Sequence, residues 1–344
     1  MATVQKAVVH VSQNVAELRS HVPVPKLTAD NWILVKTKAV ALNPTDWKNI
    51  DRACSPGSIA GCDYAGVVEE VGKGVTRYKV GDRVCGFVRG GDPYDKENGA
   101  FAEHVKAKEG INLKFSEHVS FEEAATLGVG LSTVAQALYQ ELGLPFPPNK
   151  VQEPTPLLIY GASTATGTLA VQFAKLSGCE VFATASPHNF DLLRKLGADH
   201  VFDYREAHVG ATIRKAAKDK ISLVLDCVGE GSSTEICLAA IGSNGGHLTA
   251  LLPPPKTISR TNVKAVWTLA YTCLGAKYSD RFPESQTDYE FGARFWKASE
   301  ELVNSGKIRA HPVEVRSGLE NVTRGLQDLK DGKVSGVKLV YKVE

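Results

Sequence analysis

The sequence predicts an α/β protein, and two observations predict it. Over residues 157–252 five short apolar runs alternate with helical patterns, the arrangement of βαβ units in a doubly wound parallel sheet. Over residues 1–130, by contrast, short β-like runs are separated by Gly, Pro, Asn and Asp, the pattern of a compact, mostly antiparallel, β-rich domain. The 344 residues suffice for two cores at roughly 150 residues per domain, and 43% hydrophobic with 23% charged residues is an ordinary globular composition.

Taken in order, the first stretch carries β-like runs at Lys6–Val11, Trp32–Ala41, Ala65–Val71, Arg83–Phe87 and Phe101–Val105. The Pro-rich segment Leu144–Pro156 cannot continue a helix and reads as an exposed loop. Beyond it, strands are expected at Leu157–Tyr160, Glu180–Ala185, His200–Tyr204, Ile221–Asp226 and His247–Leu252. The helices between them end near Ser177, Leu196, Lys218 and Ile241. The third stretch, from about residue 277, holds an amphipathic helix at Tyr289–Asn304 and a strand at Val337–Lys342.

Charge excludes one class of partner. Forty Lys and Arg stand against 38 Asp and Glu, a net +2, so no broad positive field is available to hold a nucleic acid backbone. The N-terminal residues lack the apolar core of a signal peptide, and no apolar run approaches the roughly 20 residues a bilayer requires. A soluble, cytoplasmic protein without membrane contact is expected. The seven cysteines include no C-x-x-C pair, which argues against a disulfide framework or a zinc finger and for buried thiols. The histidines other than His188 show no metal spacing and read as structural or solvated.

The most informative local site is the turn from the first predicted parallel strand into its helix, YGASTATGT at residues 160–168. Unpaired N–H groups and the dipole at a helix N-terminus favour a dinucleotide pyrophosphate. The turn departs from G-x-G-x-x-G, with Ala162, Thr164 and Gly167 at the matching positions, and Ser163, Thr164 and Thr166 offer hydroxyls to phosphate oxygens. A plain helix N-cap accounts for the same residues equally well. The second strand, EVFATAS, then ends without the acid that would hold a ribose 2′-hydroxyl. Ser186, His188 and Asn189 follow it, and Tyr204 and Arg205 close the third strand. Such donors would bind a 2′-phosphate that an acid would repel, so NADPH is expected rather than NADH. Ser186 also reads as a helix N-cap.

The β-rich stretch offers VALNPTDWK at 40–48, where a strand ends at a turn with Thr45, Asp46 and Lys48 at its mouth, and GCDYAGVVEEVG at 61–72 followed by VGDR. With GVGLSTVAQAL at 128–138, the order of these segments resembles the medium-chain dehydrogenase/reductase superfamily over essentially the whole chain. The resemblance implies a GroES-like β-rich catalytic domain formed by residues 1–130 and 277–344. A Rossmann NADP-binding domain with a doubly wound parallel sheet, residues 131–276, is inserted in it. Zinc-dependent members carry a Cys where this sequence has Asn43 and a His-Glu pair where it has Cys62 and Asp63, and of the four clustered cysteines of a structural zinc lobe only Cys85 is present. A tetrahedral zinc needs more ligands than these, so no metal is expected.

YGASTATGT, ATASPHNFDLL, LGADHVFDYR, AAIGSNGGH and KVSGVKLVYKV narrow the likeness: the chain resembles the fungal trans-acting enoyl reductases, which serve a polyketide synthase, alone or fused to a peptide synthetase. The implied reaction is NADPH-dependent reduction of the α,β double bond of an acyl thioester on the partner's acyl carrier protein. The resemblance assigns Thr45, Asp46, Trp47, Lys48, Ser163, Thr164, Ala165, Thr166, Ser186, Pro187, His188, Asn189, Tyr204, Leu251, Leu252, Ser335 and Gly336 to the cofactor cleft. Lys48 is expected as an orienting or proton-relay cation and Thr133 as a positioning hydroxyl that also caps a helix. Tyr271, Leu274 and Gly275 would line the acyl tunnel, although an aromatic and aliphatic stripe reads equally as core. The polar excursion Arg281–Glu290 replaces the edge strand that pairs related quinone reductases, which favours a monomer. A zinc-free quinone or alkenal reductase, or a non-redox cyclase or binding protein on the same fold, are the alternatives.

Overall fold

The computed structural model describes residues 3–343. Among them the strands run β1 (Val4–Ser12), β2 (Val15–Pro23), β3 (Trp32–Ala41), β4 (Asp63–Val71), β5 (Arg83–Phe87), β6 (His104–Lys108), β7 (Asn112–Lys114), β8 (Pro156–Tyr160), β9 (Glu180–Ala185), β10 (His200–Asp203), β11 (Leu223–Asp226), β12 (Gly246–Ala250), β13 (Val263–Trp267), β14 (Val313–Ser317) and β15 (Lys338–Lys342). The α-helices are α1 (Pro44–Arg52), α2 (Phe121–Ala125), α3 (Gly128–Val134), α4 (Ala165–Leu176), α5 (Phe190–Leu196), α6 (Val209–Ala216), α7 (Ser233–Ala240), α8 (Gln286–Asn304) and α9 (Val322–Lys330). The chain divides into two compact units, Met1–Ser132 with Tyr271–Glu344, and Thr133–Ala270.

The first unit is built on a seven-stranded sheet, ordered β14-β15-β3-β4-β5-β7, with β6 pairing β3. All its pairings are antiparallel except β14 with β15. The apolar alternation of β3 and β4 fills its core with Ile33, Val35, Val40, Tyr64 and Val68, against Leu339 and Tyr341 of β15 and Leu326 of α9. Residues so buried remove enough apolar surface from water to outweigh their ordering cost. Trp296 of α8 is fully buried, and its indole N–H donates to Ser132 Oγ at 2.9 Å.

The second unit is a six-stranded, all-parallel sheet ordered β10-β9-β8-β11-β12-β13. The order reverses at β8, so the loops after β8 and β11 lie at the switch point where α/β sheets bind ligands. Helices α4 to α7 cross between the strands, and Leu158, Phe182, Val224 and Leu248 pack with Ile213 and Leu238 of the helices.

Four expectations change. The strand expected at Phe101–Val105 begins at His104, because Phe101 and Ala102 leave the β3 ladder to bond Ala60 and an isolated bridge at Ala7. The turn expected after β3 is the helix α1, which starts because Pro44 brings a preset φ to its first position behind Asn43. Strands β2, β13 and β14 carry no clear apolar period, and their side chains are mostly half-buried or exposed. Of the excursion Arg281–Glu290, only the first part is irregular: Ser285 accepts from Asp288 N–H and starts α8.

Candidate functional site

In the second unit the turn from β8 into α4 is tight and depends on its glycines. Gly161 follows β8 at φ +69°, where L side chains are strained, and an added Cβ would lie 2.6 Å from Val228. A Cβ on Gly167 would lie 2.5 Å from Gly161 O and 2.7 Å from Ala162 Cα, so only glycine lets α4 approach the strand. Thr164 caps α4, its hydroxyl accepting from Gly167 N–H at 3.0 Å. Thr164 is thus held as a cap, whereas Ser163, Ala165 and Thr166 remain half-buried at the helix start. Beside them Asp226, fully buried at the end of β11, accepts from Val228 N, Gly229 N and Ser233 Oγ at 2.9, 2.9 and 2.6 Å. That carboxylate orders the neighbouring loop, a role the sequence did not signal.

The end of β9 carries no acid. Ser186 precedes the short 3-10 turn Pro187–Asn189, and its side chain makes no capping bond. Pro187 and His188 are exposed, Asn189 is buried, and Asn189 Nδ2 lies 3.2 Å from His188 Nε2. Parallel pairing of Ala185 with Asp203 brings Tyr204, 38% exposed, alongside. Arg205 pairs with Asp203, its guanidinium at 2.7 Å, and Ser186, His188, Asn189, Tyr204 and Arg205 are the donors grouped at this end of the sheet. Leu251 and Leu252 follow β12 half-buried, and Leu251 O accepts from the Trp267 indole at 3.2 Å. The residues of this unit fit a nicotinamide dinucleotide, NAD(P)H.

The first unit gathers the other candidates around the start of α1. Asn43 precedes the helix, and its backbone N–H donates to Asp46 Oδ2 at 2.7 Å. Lys338 Nζ donates to Asn43 Oδ1 at 2.9 Å, to Asp63 Oδ2 at 2.6 Å and to Thr126 O at 3.1 Å. Asp63 Oδ1 accepts from Val129 N–H at 2.7 Å. The side chains of Lys338 and Asp63 are 3% and 0% exposed, so this is a fully desolvated and fully bonded ion pair. Of the three positions where zinc-dependent relatives carry metal ligands, two therefore share an internal ammonium. The third, Cys62, turns its thiol to Tyr271 OH at 3.3 Å. These residues do not fit a zinc ion.

Tyr271 was expected along an acyl tunnel. Its hydroxyl instead meets Thr45 Oγ1 at 2.8 Å and Asn49 Nδ2 at 3.3 Å, while its ring stacks on Tyr278 at 4.9 Å. Leu274 is half-buried, and Gly275 is buried at φ +55° with its carbonyl accepting from Lys108. Thr45, Trp47 and Lys48 are half-buried, and Lys48 Nζ and Lys330 Nζ lie 5.5 and 5.8 Å from the Trp47 ring centre. Thr133 sits within α3, 5% exposed, and cannot be the helix cap the sequence suggested, because α3 already begins at Gly128. Ser335 is exposed, and Gly336, at φ +68°, is half-buried just before β15.

Burial pushes the Asp46 carboxyl up to about 7, aided by the charge of Asp63 and opposed by the Asn43 N–H and Lys338. Burial pushes His10 down to about 4, and burial with the Lys338 charge pushes His311 down to about 3. Between pH 4 and 6.5 the unfolded chain holds two histidine protons that the folded chain lacks, while folded Asp46 holds one that the unfolded chain lacks. The net excess of one in the unfolded state makes stability fall with falling pH, by roughly 1.4 kcal/mol per pH unit. The melting temperature is expected to drop from pH 6.5 to 4.5, and to drop more steeply in Asp46→Asn, which removes the opposing contribution. A wild-type slope in Asp46→Asn would show that Asp46 is ionised in the fold.

Residues 29–117 match the alcohol dehydrogenase GroES-like domain family and residues 165–275 the zinc-binding dehydrogenase family. The chain is 55% identical over 343 residues to trans-enoyl reductase ACTTS2 of Alternaria alternata, covering 99% of each. It belongs to the trans-enoyl reductases of the medium-chain dehydrogenase/reductase superfamily. A second trans-enoyl reductase, TOXD of Cochliobolus carbonum, is 50% identical over 278 residues, 80% of this chain and 93% of that one. The fold of this trans-enoyl reductase also matches the crystal structure of CurK enoyl reductase, with TM-score 0.77 and 21% identity over 99% of each chain. This trans-enoyl reductase is an oxidoreductase with a GroES-like unit and a Rossmann-type unit. Among the described residues no group of three or more His, Cys, Asp or Glu is arranged to hold a metal, and no helix is long and apolar enough to cross a membrane.

Proposed function

We propose that this trans-enoyl reductase uses NADPH to reduce the α,β double bond of an acyl thioester carried on the acyl carrier protein of a partner polyketide synthase, as a monomer in the cytoplasm. The similarity to ACTTS2 across the whole chain carries this reading. The coenzyme preference rests on the acid-free end of β9. Bound NADPH supplies the hydride that adds to the β-carbon. The chain's own residues bind and orient: the backbone at Gly161–Gly167 faces phosphate, the half-buried Lys48 ammonium orients the thioester oxygen as negative charge develops on it, and the Thr133 hydroxyl positions the acyl group.

The test is an assay with an enoyl-pantetheine thioester. NADPH-dependent reduction is expected, with NADH at least tenfold poorer in kcat/KM, a difference of about 1.4 kcal/mol. Lys48→Ala is expected to lower turnover by roughly 100-fold while leaving NADPH affinity unchanged. Fast turnover of quinones without thioester reduction would replace this reading with that of a quinone reductase.

A further inference from the structure

The reduction leaves unused a set of buried groups beneath the start of α1. Asp46 is 1% exposed; its Oδ2 is held by Asn43 N–H, but its Oδ1 is buried without a partner of hydrogen-bond geometry. The thiol of Cys62, fully buried, lies beside this carboxyl and 3.3 Å from Tyr271 OH. Tyr271 OH in turn lies 2.8 Å from Thr45 Oγ1, and Thr45 is half-buried rather than enclosed. The Asn49 amide nitrogen can only donate, so it fills one acceptor position on the Tyr271 oxygen. Either atom of the Cys62–Tyr271 and Tyr271–Thr45 pairs can donate, so in the arrangement where Cys62 S–H fills the other acceptor position the one proton of Tyr271 points to Thr45, and the Thr45 proton points away from the line.

We propose that Asp46, Cys62, Tyr271 and Thr45 form a proton relay that delivers to the α-carbon of the substrate the proton completing the reduction. The inference rests on the proposed reaction. Thr45 gives its O–H proton to the α-carbon of the enolate as its oxygen takes the Tyr271 proton. Tyr271 takes the S–H proton of Cys62, and Cys62 takes the carboxyl proton of Asp46. Each donor bond broken is matched by one formed, no electrons change hands along the line, and Asp46 is left as a carboxylate that regains its proton when the half-buried Thr45 takes one from solvent and the line runs in reverse. Burial keeps Cys62 and Tyr271 protonated by raising both well above their ordinary values, and it holds Asp46 at about 7, so that the carboxyl has a proton to give near neutrality. The groups facing Asp46 are Cys62, Asp63 of β4, Lys338 of β15 and Tyr271. Lys48 and Asp51 share its helix, and Asp51 is paired with Lys330 of α9 at 2.6 Å.

The inference is tested on full-length enzyme with NADPH and an enoyl-pantetheine thioester. Tyr271→Phe and Asp46→Asn are each expected to lower kcat by about tenfold or more and to raise the solvent deuterium isotope effect, with NADPH affinity unchanged. The wild-type kcat is expected to decline as pH rises through 7, and this decline to vanish in Asp46→Asn. Independently of activity, the infrared S–H stretch of Cys62, assigned by its loss in Cys62→Ser, is expected to shift in both variants. Wild-type kcat and isotope effect in Tyr271→Phe, or an S–H stretch that neither variant moves, would overturn the relay. An enzyme that shows the S–H shifts but reduces no enoyl thioester would overturn the proposed reaction while leaving the hydrogen-bonded line intact.

Discussion

Lys338→Met is expected to lower the melting temperature of this trans-enoyl reductase by roughly 6–20 °C. The side chain it removes is the ammonium bonded to Asp63, whose carboxylate is fully buried. Breaking a buried pair by deleting one partner costs about 3–5 kcal/mol, because the remaining charge has lost its water and its counter-charge. In a unit of this size each kcal/mol moves the melting temperature by about 2–4 °C. The damage is also local to the site, since Lys338 holds Asn43, the residue before the helix that carries Thr45 and Lys48. Asp63→Asn keeps an acceptor for Val129 N–H, so the double variant Asp63→Asn/Lys338→Met is expected to recover most of the lost stability. Thermal denaturation followed by circular dichroism checks both. A fall of less than about 2 °C in the single variant would mean that Asp63 is not an uncompensated charge there.

Gly167→Val should raise the NADPH dissociation constant at least tenfold, about 1.4 kcal/mol of binding free energy. The added atoms would meet Gly161 O and Ala162 Cα and C within 2.7 Å, all backbone and unable to rotate away. The start of α4 must then move off the end of β8, and the N–H groups that face a pyrophosphate move with it. Fluorescence titration of NADPH measures the loss directly. Undiminished affinity would place the dinucleotide elsewhere than at the Gly161–Gly167 turn.

The parallel sheet was legible because each of its core strands is buried on both faces, and a short, wholly apolar run such as LLIY of β8 announces itself. Strand β13 was not legible: it lies at the sheet edge, and its Lys264 reaches outward to Glu141. Strand β2, with six exposed positions among nine and none fully buried, has no strong apolar period to detect. At the site, the residue types at Asn43, Cys62 and Asp63 sufficed to argue against zinc, but nothing near them in the chain pointed to Lys338. Tyr271 drew attention through an aromatic and aliphatic stripe, and only its hydroxyl contacts give it a place in the site.

What the sequence determined by itself was local: the alternation of strand and helix, the glycine that lets α4 close on β8, and the missing acid after β9. Each is written in consecutive residues because it depends on backbone conformation or on a periodicity of two or 3.6. The tertiary structure decided which buried polar groups satisfy one another. Lys338 meets Asp63 from 275 residues away and Tyr271 meets Thr45 from 226 residues away. A buried charge or hydroxyl requires a partner but not one at any particular distance along the chain, so the pairing leaves no pattern until the chain has folded.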